Sequence, residues 1–418
     1  MSDYRDLCVN VIDKGLCTGC GTCIGICPKQ VFSWDEGVNA VKPEACIKCG
    51  LCEAACPGHK FDFTSEYGTK DDNLIESEAI GRYKSMYVAR STDMEISKAG
   101  ASGGVVTQIA CELLEQGMVQ GVVAIKSDDA VPYLFKTFIA KNKDELLSST
   151  GSKYCIIPHN QIIQEIKQFS GKVLYIGLPC QIQGIRKAMK RDKILADKIF
   201  ATIGLFCGFN MRPDATKYLI RKSKIKESEI EEFYYRTKKD GKTGAYIKST
   251  SGRDFFVGKH AYTFMNLFFV PKRCTLCYDY AAEFADLSLG DAWEEANASR
   301  VIVRTKIGRE ILDVLEQDQK IILNACKESA IMTTQKSVVR YKKWGIVYRM
   351  KMAGNCPDYN VKLNDSDGKL KMKQIILAVI IKCCSSKAGR LLLNVVPFSV
   401  LSSMSEHLKG KEIREKTD

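Results

Sequence analysis

The sequence predicts a chain of α+β and α/β class. A small cysteine-rich domain covers residues 1–60, a linker 61–84, a mixed α/β domain 85–330, and a basic helical segment 331–418. Three observations predict it. One cysteine pattern occurs twice before residue 60, strand-like and helix-like segments alternate from about residue 85, and the last segment is rich in lysine and poor in acid.

A chain of 418 residues with 45% hydrophobic and 27% charged side chains can bury ordinary globular cores. It has no run of about 18 apolar residues of the kind that spans a bilayer. Met1 to Asn10 mixes charged and polar groups without an apolar signal core, so the cytoplasm is the expected location. Thiols stay reduced there, and 19 cysteines in such a chain point to metal rather than to disulfides.

The first cysteine run is Cys17, Cys20, Cys23, Cys27 and Pro28; the second is Cys46, Cys49, Cys52, Cys56 and Pro57. Both read C-x2-C-x2-C-x3-C-P. Three cysteines so spaced wrap a tight loop around three corners of a cuboidal [4Fe–4S] cluster, and the fourth thiolate turns away to ligate the other cluster. One cluster is expected on Cys17, Cys20, Cys23 and Cys56, the other on Cys46, Cys49, Cys52 and Cys27. Gly21, Gly25 and Gly50 allow the backbone angles and close approaches such loops need. Zinc is the alternative, but it uses cysteine pairs rather than triplets with a distant fourth. Two clusters with crossed ligands are neighbours and form a ferredoxin-like conduit for single electrons. Residues 61–84, with Lys70, Asp71, Asp72, Glu76 and Glu78, read as a charged linker.

In the central domain Tyr87 to Arg90 is a short apolar strand and Val105 to Gln116 a helix. Val119 to Lys126, Lys172 to Gly177 and Ile199 to Phe206 are strand-like, and the strand Arg300 to Arg304 precedes a helix from Ile307 to Glu316. Ala101-Ser102-Gly103-Gly104 lies at a helix start, where glycine lets an anion approach backbone amides and the helix dipole favours it. A plain turn with a helix cap is the alternative. Gly151-Ser152-Lys153-Tyr154 offers a cation to a phosphate and a ring for stacking, or is a solvated loop.

Cys180 follows Gly177-Leu178-Pro179 at a strand end, and Cys207 ends the next strand. The ends of parallel neighbours meet at one sheet edge. With Cys274 and Cys277, a C-x2-C pair, these give four thiolates able to converge. A third [4Fe–4S] cluster, a zinc site and buried free cysteines are all consistent with the spacing. Cys8, Cys111, Cys326, Cys356, Cys383 and Cys384 fit no ligand pattern, and Cys155 sits beside the Lys153 loop. No dinucleotide G-x-G-x-x-G, Walker or H-E-x-x-H motif occurs. His59, His159, His260 and His407 are scattered, so no catalytic residue is assigned.

Taken together, these pieces resemble the coenzyme F420 hydrogenase/dehydrogenase beta subunit family. The matching residues are Ala101 to Gly104, Gly151 to Tyr154, Gly177 to Gln181, Leu205-Phe206-Cys207, Arg273 to Asp279, Asp286 to Trp293 and Val301 to Thr305, in family order over roughly residues 85–320. The resemblance implies an FAD in the 85–330 domain, with Ser102, Gly103, Gly104, Lys153 and Tyr154 near it. It favours the third cluster on Cys180, Cys207, Cys274 and Cys277. It implies a flavin that exchanges a hydride with a reduced deazaflavin or similar small molecule, and clusters that relay single electrons to or from ferredoxin or another redox protein. The cofactor does that chemistry while the protein positions it. A non-catalytic electron-transfer subunit of a larger redox complex is the second reading, and a zinc-stabilised interaction protein the third.

The formal charge is +13, and residues 331–418 hold 17 Lys and Arg against 7 Asp and Glu, a net of +10. Three clusters at about −2 each would lower the total by roughly 6 and leave the protein basic. No family motif is evident after about residue 330. Met372 to Ile381 and Leu391 to Leu401 are apolar blocks flanked or preceded by basic residues. Such a segment either packs on the main domain with its lysines solvated, or makes peripheral contact with an anionic membrane as a basic amphipathic helix. Its charge also suits an acidic carrier such as ferredoxin. No nucleic-acid partner is expected.

Overall fold

The computed structural model describes residues 2–67, 73–259, 264–363, 368–398, 400–401 and 403; Lys70, Asp71, Asp72, His260 and His407 lie outside them. The two cysteine runs flank a short antiparallel hairpin of β1 (Phe32–Trp34) and β2 (Val38–Ala40). The chain then builds eight strands into one mixed sheet: β3 (Ser85–Ser91), β4 (Gly121–Ser127), β5 (Phe135–Ala140), β6 (Val173–Gly177), β7 (Ile199–Leu205), β11 (Leu287–Asp291), β12 (Ser299–Val303) and β13 (Ile321–Ala325). Their order is β13-β3-β12-β11-β7-β6-β4-β5. The four inner strands β11, β7, β6 and β4 are parallel neighbours, and the flanking pairings are antiparallel.

Strand alternation explains why the inner strands are mostly apolar on both faces. Leu174 faces a core formed with helices Val105–Glu115 and Lys306–Gln317, through Ile109, Leu113, Ile311 and Leu315. Its neighbours Val173 and Tyr175 face the opposite core, with Ile182 and Ile185 of helix Pro179–Met189. Both faces of a parallel sheet are covered, so residues of both alternating sets, such as Val173, Leu174 and Tyr175, are buried. The strands and helices read from the sequence in this region all occur, with ends shifted by up to two residues.

A second sheet was not legible. β8 (Ile230–Lys239), β9 (Lys242–Ser249) and β10 (Asp254–Gly258) form a three-stranded antiparallel meander. Its inner face packs on helix Asp214–Ser223 through Tyr218, Phe233 and Ile247. Charged residues such as Glu231, Lys238, Lys242 and Asp254 interrupt these strands at exposed positions, which hides the period.

The 61–84 segment is not a solvated connector where it is described. Phe61, Phe63, Ala79 and Ile80 are buried. Phe63 makes edge contacts with Phe61, Tyr278, Phe284 and Tyr359, which ties this segment to the chain beyond residue 339.

The cysteine-run domain docks on the lower face of the sheet by close backbone approach. A Cβ on Gly25 would stand 2.1 Å from the Asn160 carbonyl oxygen, and one on Gly21 2.4 Å from that of Pro158. Asn160 is the hub. Its amide N–H donates to the Cys20 carbonyl at 2.8 Å, and its side-chain Nδ2 donates to Thr22 Oγ1 at 2.8 Å and to the Gln181 carbonyl at 2.9 Å. Lys187 adds bonds to the carbonyls of Cys56 and Lys60 at 2.6 and 2.7 Å.

Candidate metal centres

Each cysteine run ends in a short helix opened by a left-handed glycine, Gly21 at φ +83° before Thr22–Ile26 and Gly50 at φ +70° before Leu51–Ala54. A side chain with a Cβ is strained there. The resulting turns bring Cys46, Cys49 and Cys52 around one pocket of about 330 Å³, and Cys27 from the first run lines it too. Cys17, Cys20, Cys23 and Cys56 form the other group. Burial pushes the Cys17 thiol up to about 11 and that of Cys56 up to about 12, and the neighbouring sulfurs push both further in the same direction. Backbone amides already aim at these sulfurs: Gly19 N–H donates to Cys17 Sγ at 3.4 Å, Val31 to Cys27 at 3.5 Å and Gly58 to Cys56 at 3.3 Å. Amides so placed stabilise thiolates, and with them a bound cluster.

The third group lies at the C-terminal edge of the parallel strands. β6 ends at Gly177 and β7 at Leu205, and the residues just beyond them, Cys180 and Cys207, face one cleft with Cys274 and Cys277. That cleft encloses about 580 Å³, and Cys20 and Gly19 of the first cysteine run form part of its wall. Burial pushes the Cys207 thiol up to about 12 and that of Cys180 well above the usual range; the other cysteines of the group, and Cys20 for Cys180, add to the rise. Thiols held this way stay protonated until a cation compensates them, so the desolvation is tolerable once iron binds. Among the described residues no three Cys, His, Asp or Glu side chains are close enough to share one metal ion. The four sulfurs instead line one volume.

Two buried cations line this cleft: Arg273, marked in the sequence beside Cys274, and Lys342, which the sequence reading did not single out. Lys342 is 2% exposed; its Nζ donates to the Asp279 carbonyl at 2.9 Å and stands 3.4 Å from Cys277 Sγ. Burial alone would lower its pKa, but the sulfurs of Cys277, Cys207 and Cys274 and the Asp279 carboxylate outweigh burial and keep the ammonium charged. Arg273 is buried beside it. Its guanidinium donates to the carbonyls of Gly58 at 3.1 Å and Pro57 at 3.3 Å and to the Tyr359 hydroxyl at 2.6 Å. It therefore clamps the end of the second cysteine run against the Cys274/Cys277 turn. Lys343 ion-pairs with buried Glu283, which also accepts from the Tyr67 hydroxyl. Arg349 is buried as well, bonded to the carbonyls of Thr275 and Tyr341. Thus part of the basic tail is interior. The available signal was the pair Lys342-Lys343 set between Tyr341 and Trp344, aromatic flanks untypical of a solvated charge run.

The residues considered for a flavin do not share one cavity with the cysteines. Helix Val105–Glu115 opens at Gly104, φ +71°, with no side-chain cap on its first-turn amides. Gly103 is needed by the fold itself, because a Cβ there would stand 2.7 Å from the Ala89 carbonyl. Its amide donates to Ser299 Oγ at 3.1 Å, and Ser102 Oγ shares a bond with the same hydroxyl at 2.9 Å. Lys153 Nζ donates to the carbonyls of Ser149 and Thr150, and burial lowers its pKa to about 8. Ser299 pairs with Asp291 across β12 and β11, Asp291 ion-pairs with Arg236 at 2.8 Å, and Arg236 bonds Tyr154. A chain of contacts thus joins the two candidate stretches along one sheet edge. The polar groups of Ser102, Gly103 and Lys153 are already partnered by protein, so the fit to a flavin rests on the helix amides, Tyr154 and the nearby exposed Trp293.

Comparison with known proteins gives three family matches. Residues 86–164 match the coenzyme F420 hydrogenase/dehydrogenase beta subunit N-terminal region, residues 170–329 its C-terminal region, and residues 9–57 a 4Fe-4S dicluster domain. The chain is 28% identical over 347 residues to the coenzyme F420-dependent sulfite reductase of Methanocaldococcus jannaschii, which covers 80% of this chain but only 50% of that protein. It is 29% identical over 251 residues to the coenzyme F420 hydrogenase subunit beta of Methanosarcina barkeri, covering 57% of this chain and 80% of the relative. Among solved structures, a chain of the F420-reducing [NiFe] hydrogenase complex from Methanosarcina barkeri shares the fold, with a TM-score of 0.55 and 24% identity over 68% of this chain and 99% of that one. Lys342, Lys343 and Arg349 lie beyond residue 329, where the family-model match ends.

Proposed function

Because the chain belongs to the coenzyme F420 hydrogenase/dehydrogenase beta subunit family, we propose that it is an iron–sulfur flavoprotein oxidoreductase linking a hydride donor or acceptor to a one-electron redox partner. A reduced deazaflavin of the F420 type is the small molecule that the names of its relatives favour. When bound, a flavin would supply two-electron hydride exchange and [4Fe–4S] clusters single-electron relay.

The observation that carries this reading is the shared wall of the third cleft. Cys20, from the first cysteine run, lines the same volume as Cys180, Cys207, Cys274 and Cys277. A cluster on the last four would be the immediate neighbour of one on Cys17, Cys20, Cys23 and Cys56, which in turn exchanges ligands with the group Cys27, Cys46, Cys49 and Cys52. The protein's own contribution is to hold twelve thiolates in three groups, of which the second reaches the surface at Cys49, to aim amides at several of the sulfurs, and to set Lys342 and Arg273 against the negative charge of the inner group. The Ser102–Gly104 turn and Tyr154 are the residues proposed to meet the flavin at the same edge of the sheet.

The test is composition and turnover of anaerobically prepared protein. About 12 iron atoms and one FAD per chain, with reduction of an artificial one-electron acceptor by reduced F420, support the proposal. About 8 iron atoms would remove the inner cluster, and absence of flavin would favour the second reading. That reading, a non-catalytic electron-transfer subunit, is favoured by relatives named as beta subunits.

A further inference from the structure

The helical hairpin formed by Gly368–Cys384 and Lys387–Val395 is anchored from inside and apolar outside. Its inner residues Gln374, Ile381 and Leu393 are buried. Gln374 accepts from the buried Arg349, Tyr218 OH donates to the Leu393 carbonyl at 3.4 Å, and Lys222 Nζ donates to the Asn394 carbonyl at 2.6 Å. The outward face carries Met372, Ile376, Val379 and Ile380, exposed by 61%, 52%, 48% and 42%. Their spacing of four, three and one residues places them in one stripe of the helix. Leu392 and Val395 of the following helix are exposed by 66% and 76%. Residues 368–401 contain Lys369, Lys371, Lys373, Lys382, Lys387 and Arg390 and no Asp or Glu. Among the described residues no helix is long and apolar enough to cross a membrane.

An apolar patch on a fixed element, rimmed by one sign of charge, marks an interaction surface. The exposed stripe has no Tyr, Trp or Arg of the kind that anchors protein interfaces. It has aliphatic residues with lysines beside them and no acidic residue within residues 368–401; the nearby Asp214 is paired with Arg390 at 3.5 Å. We propose that this hairpin lies on the surface of a bilayer containing anionic lipid, with the Met372–Ile380 stripe at the acyl boundary and the lysines at the headgroups. The contact is peripheral, and Gln374, Ile381 and Leu393 hold the hairpin to the rest of the protein while it is made.

The test is flotation of the holoprotein with vesicles of equal parts phosphatidylglycerol and phosphatidylcholine, and with phosphatidylcholine alone. Binding to the anionic vesicles at least tenfold above the neutral ones, lost at high salt, is the expected result. Ile376→Glu with Ile380→Glu abolishes it. Lys371→Glu with Lys382→Glu, which leaves the stripe intact, removes the preference for anionic lipid. Both variants lie on the solvent side and are checked by wild-type visible absorption and unfolding midpoint. Failure of the native protein to float, or flotation unaffected by the Ile376 and Ile380 changes, overturns the proposal. So does a homodimer, seen by light scattering, that those changes break while vesicle binding is absent.

Discussion

Replacing Lys342 by methionine removes a buried ammonium 3.4 Å from Cys277 Sγ while keeping most of its aliphatic volume. Adding an electron to a cluster on Cys180, Cys207, Cys274 and Cys277 adds one negative charge next to that ammonium. Two unit charges 4 Å apart interact by about 4 kcal/mol at an effective dielectric constant of about 20. The electron spreads over a cluster whose centre lies farther off than the ligating sulfur, so about 2 kcal/mol is the appropriate figure. That is roughly 80 mV for a one-electron couple. Loss of the positive charge disfavours reduction, so the potential of that cluster falls. The assay is a redox titration followed by electron paramagnetic resonance on holoprotein, with Lys342→Arg as the charge-keeping control. A native iron content of about 12 per chain with an unchanged potential in Lys342→Met would refute the role given to Lys342. A native content of about 8 would instead refute the cluster it acts on.

Three further outcomes follow from the geometry. Cys27→Ser is expected to remove the cluster on the second cysteine run and Cys56→Ser the one on the first, each lowering iron by about 4 atoms; loss of the cluster belonging to the mutated run itself would disprove the crossed assignment. Gly25→Ala forces a Cβ to within 2.1 Å of the Asn160 carbonyl and should cost about 1–3 kcal/mol by urea unfolding, with faster proteolytic separation of the cysteine-run domain. His159 is buried, with a hydrogen bond to the Ile176 carbonyl, and burial lowers its pKa to about 4. Between about 6.5 and 4 the unfolded chain binds the extra proton, so stability falls as pH drops through that window, by about 2 kcal/mol from pH 7 to pH 5. His159→Gln should flatten this part of the unfolding-midpoint profile, and an equally steep profile in the variant would exclude His159 as its source.

Some of this was legible in the residues because it is local. The paired cysteine runs are legible as a 4Fe-4S dicluster pattern, since their spacing is a property of the local chain. The inner strands were readable because burial on both faces makes Val173 to Gly177 continuously apolar. The meander β8–β10 was not, because one face is solvated and its charged residues break the apolar run. Residues 61–84 misled for the opposite reason: their charges are conspicuous, while Phe61 and Phe63, which decide where the segment goes, are few. Lys153 shows the same limit at a smaller scale. A lysine after a glycine looks available to a phosphate, yet its ammonium is held by two carbonyls of its own loop.

By itself the sequence determined the dicluster pattern of the two cysteine runs and the mixed α/β class of the central sheet. Spacing and periodicity are properties of a chain shorter than a few turns, and they survive without tertiary contacts. Only the folded structure decided that Cys180 and Cys207, beyond adjacent strand ends, meet Cys274 and Cys277 beside Cys20. It alone brought Lys342, from residues past the family match, over their sulfurs. Those contacts join residues far apart in the chain, Lys342 and Cys277 by 65 positions, and what brings them together is parallel strand pairing and the burial of both sheet faces, which no local pattern records.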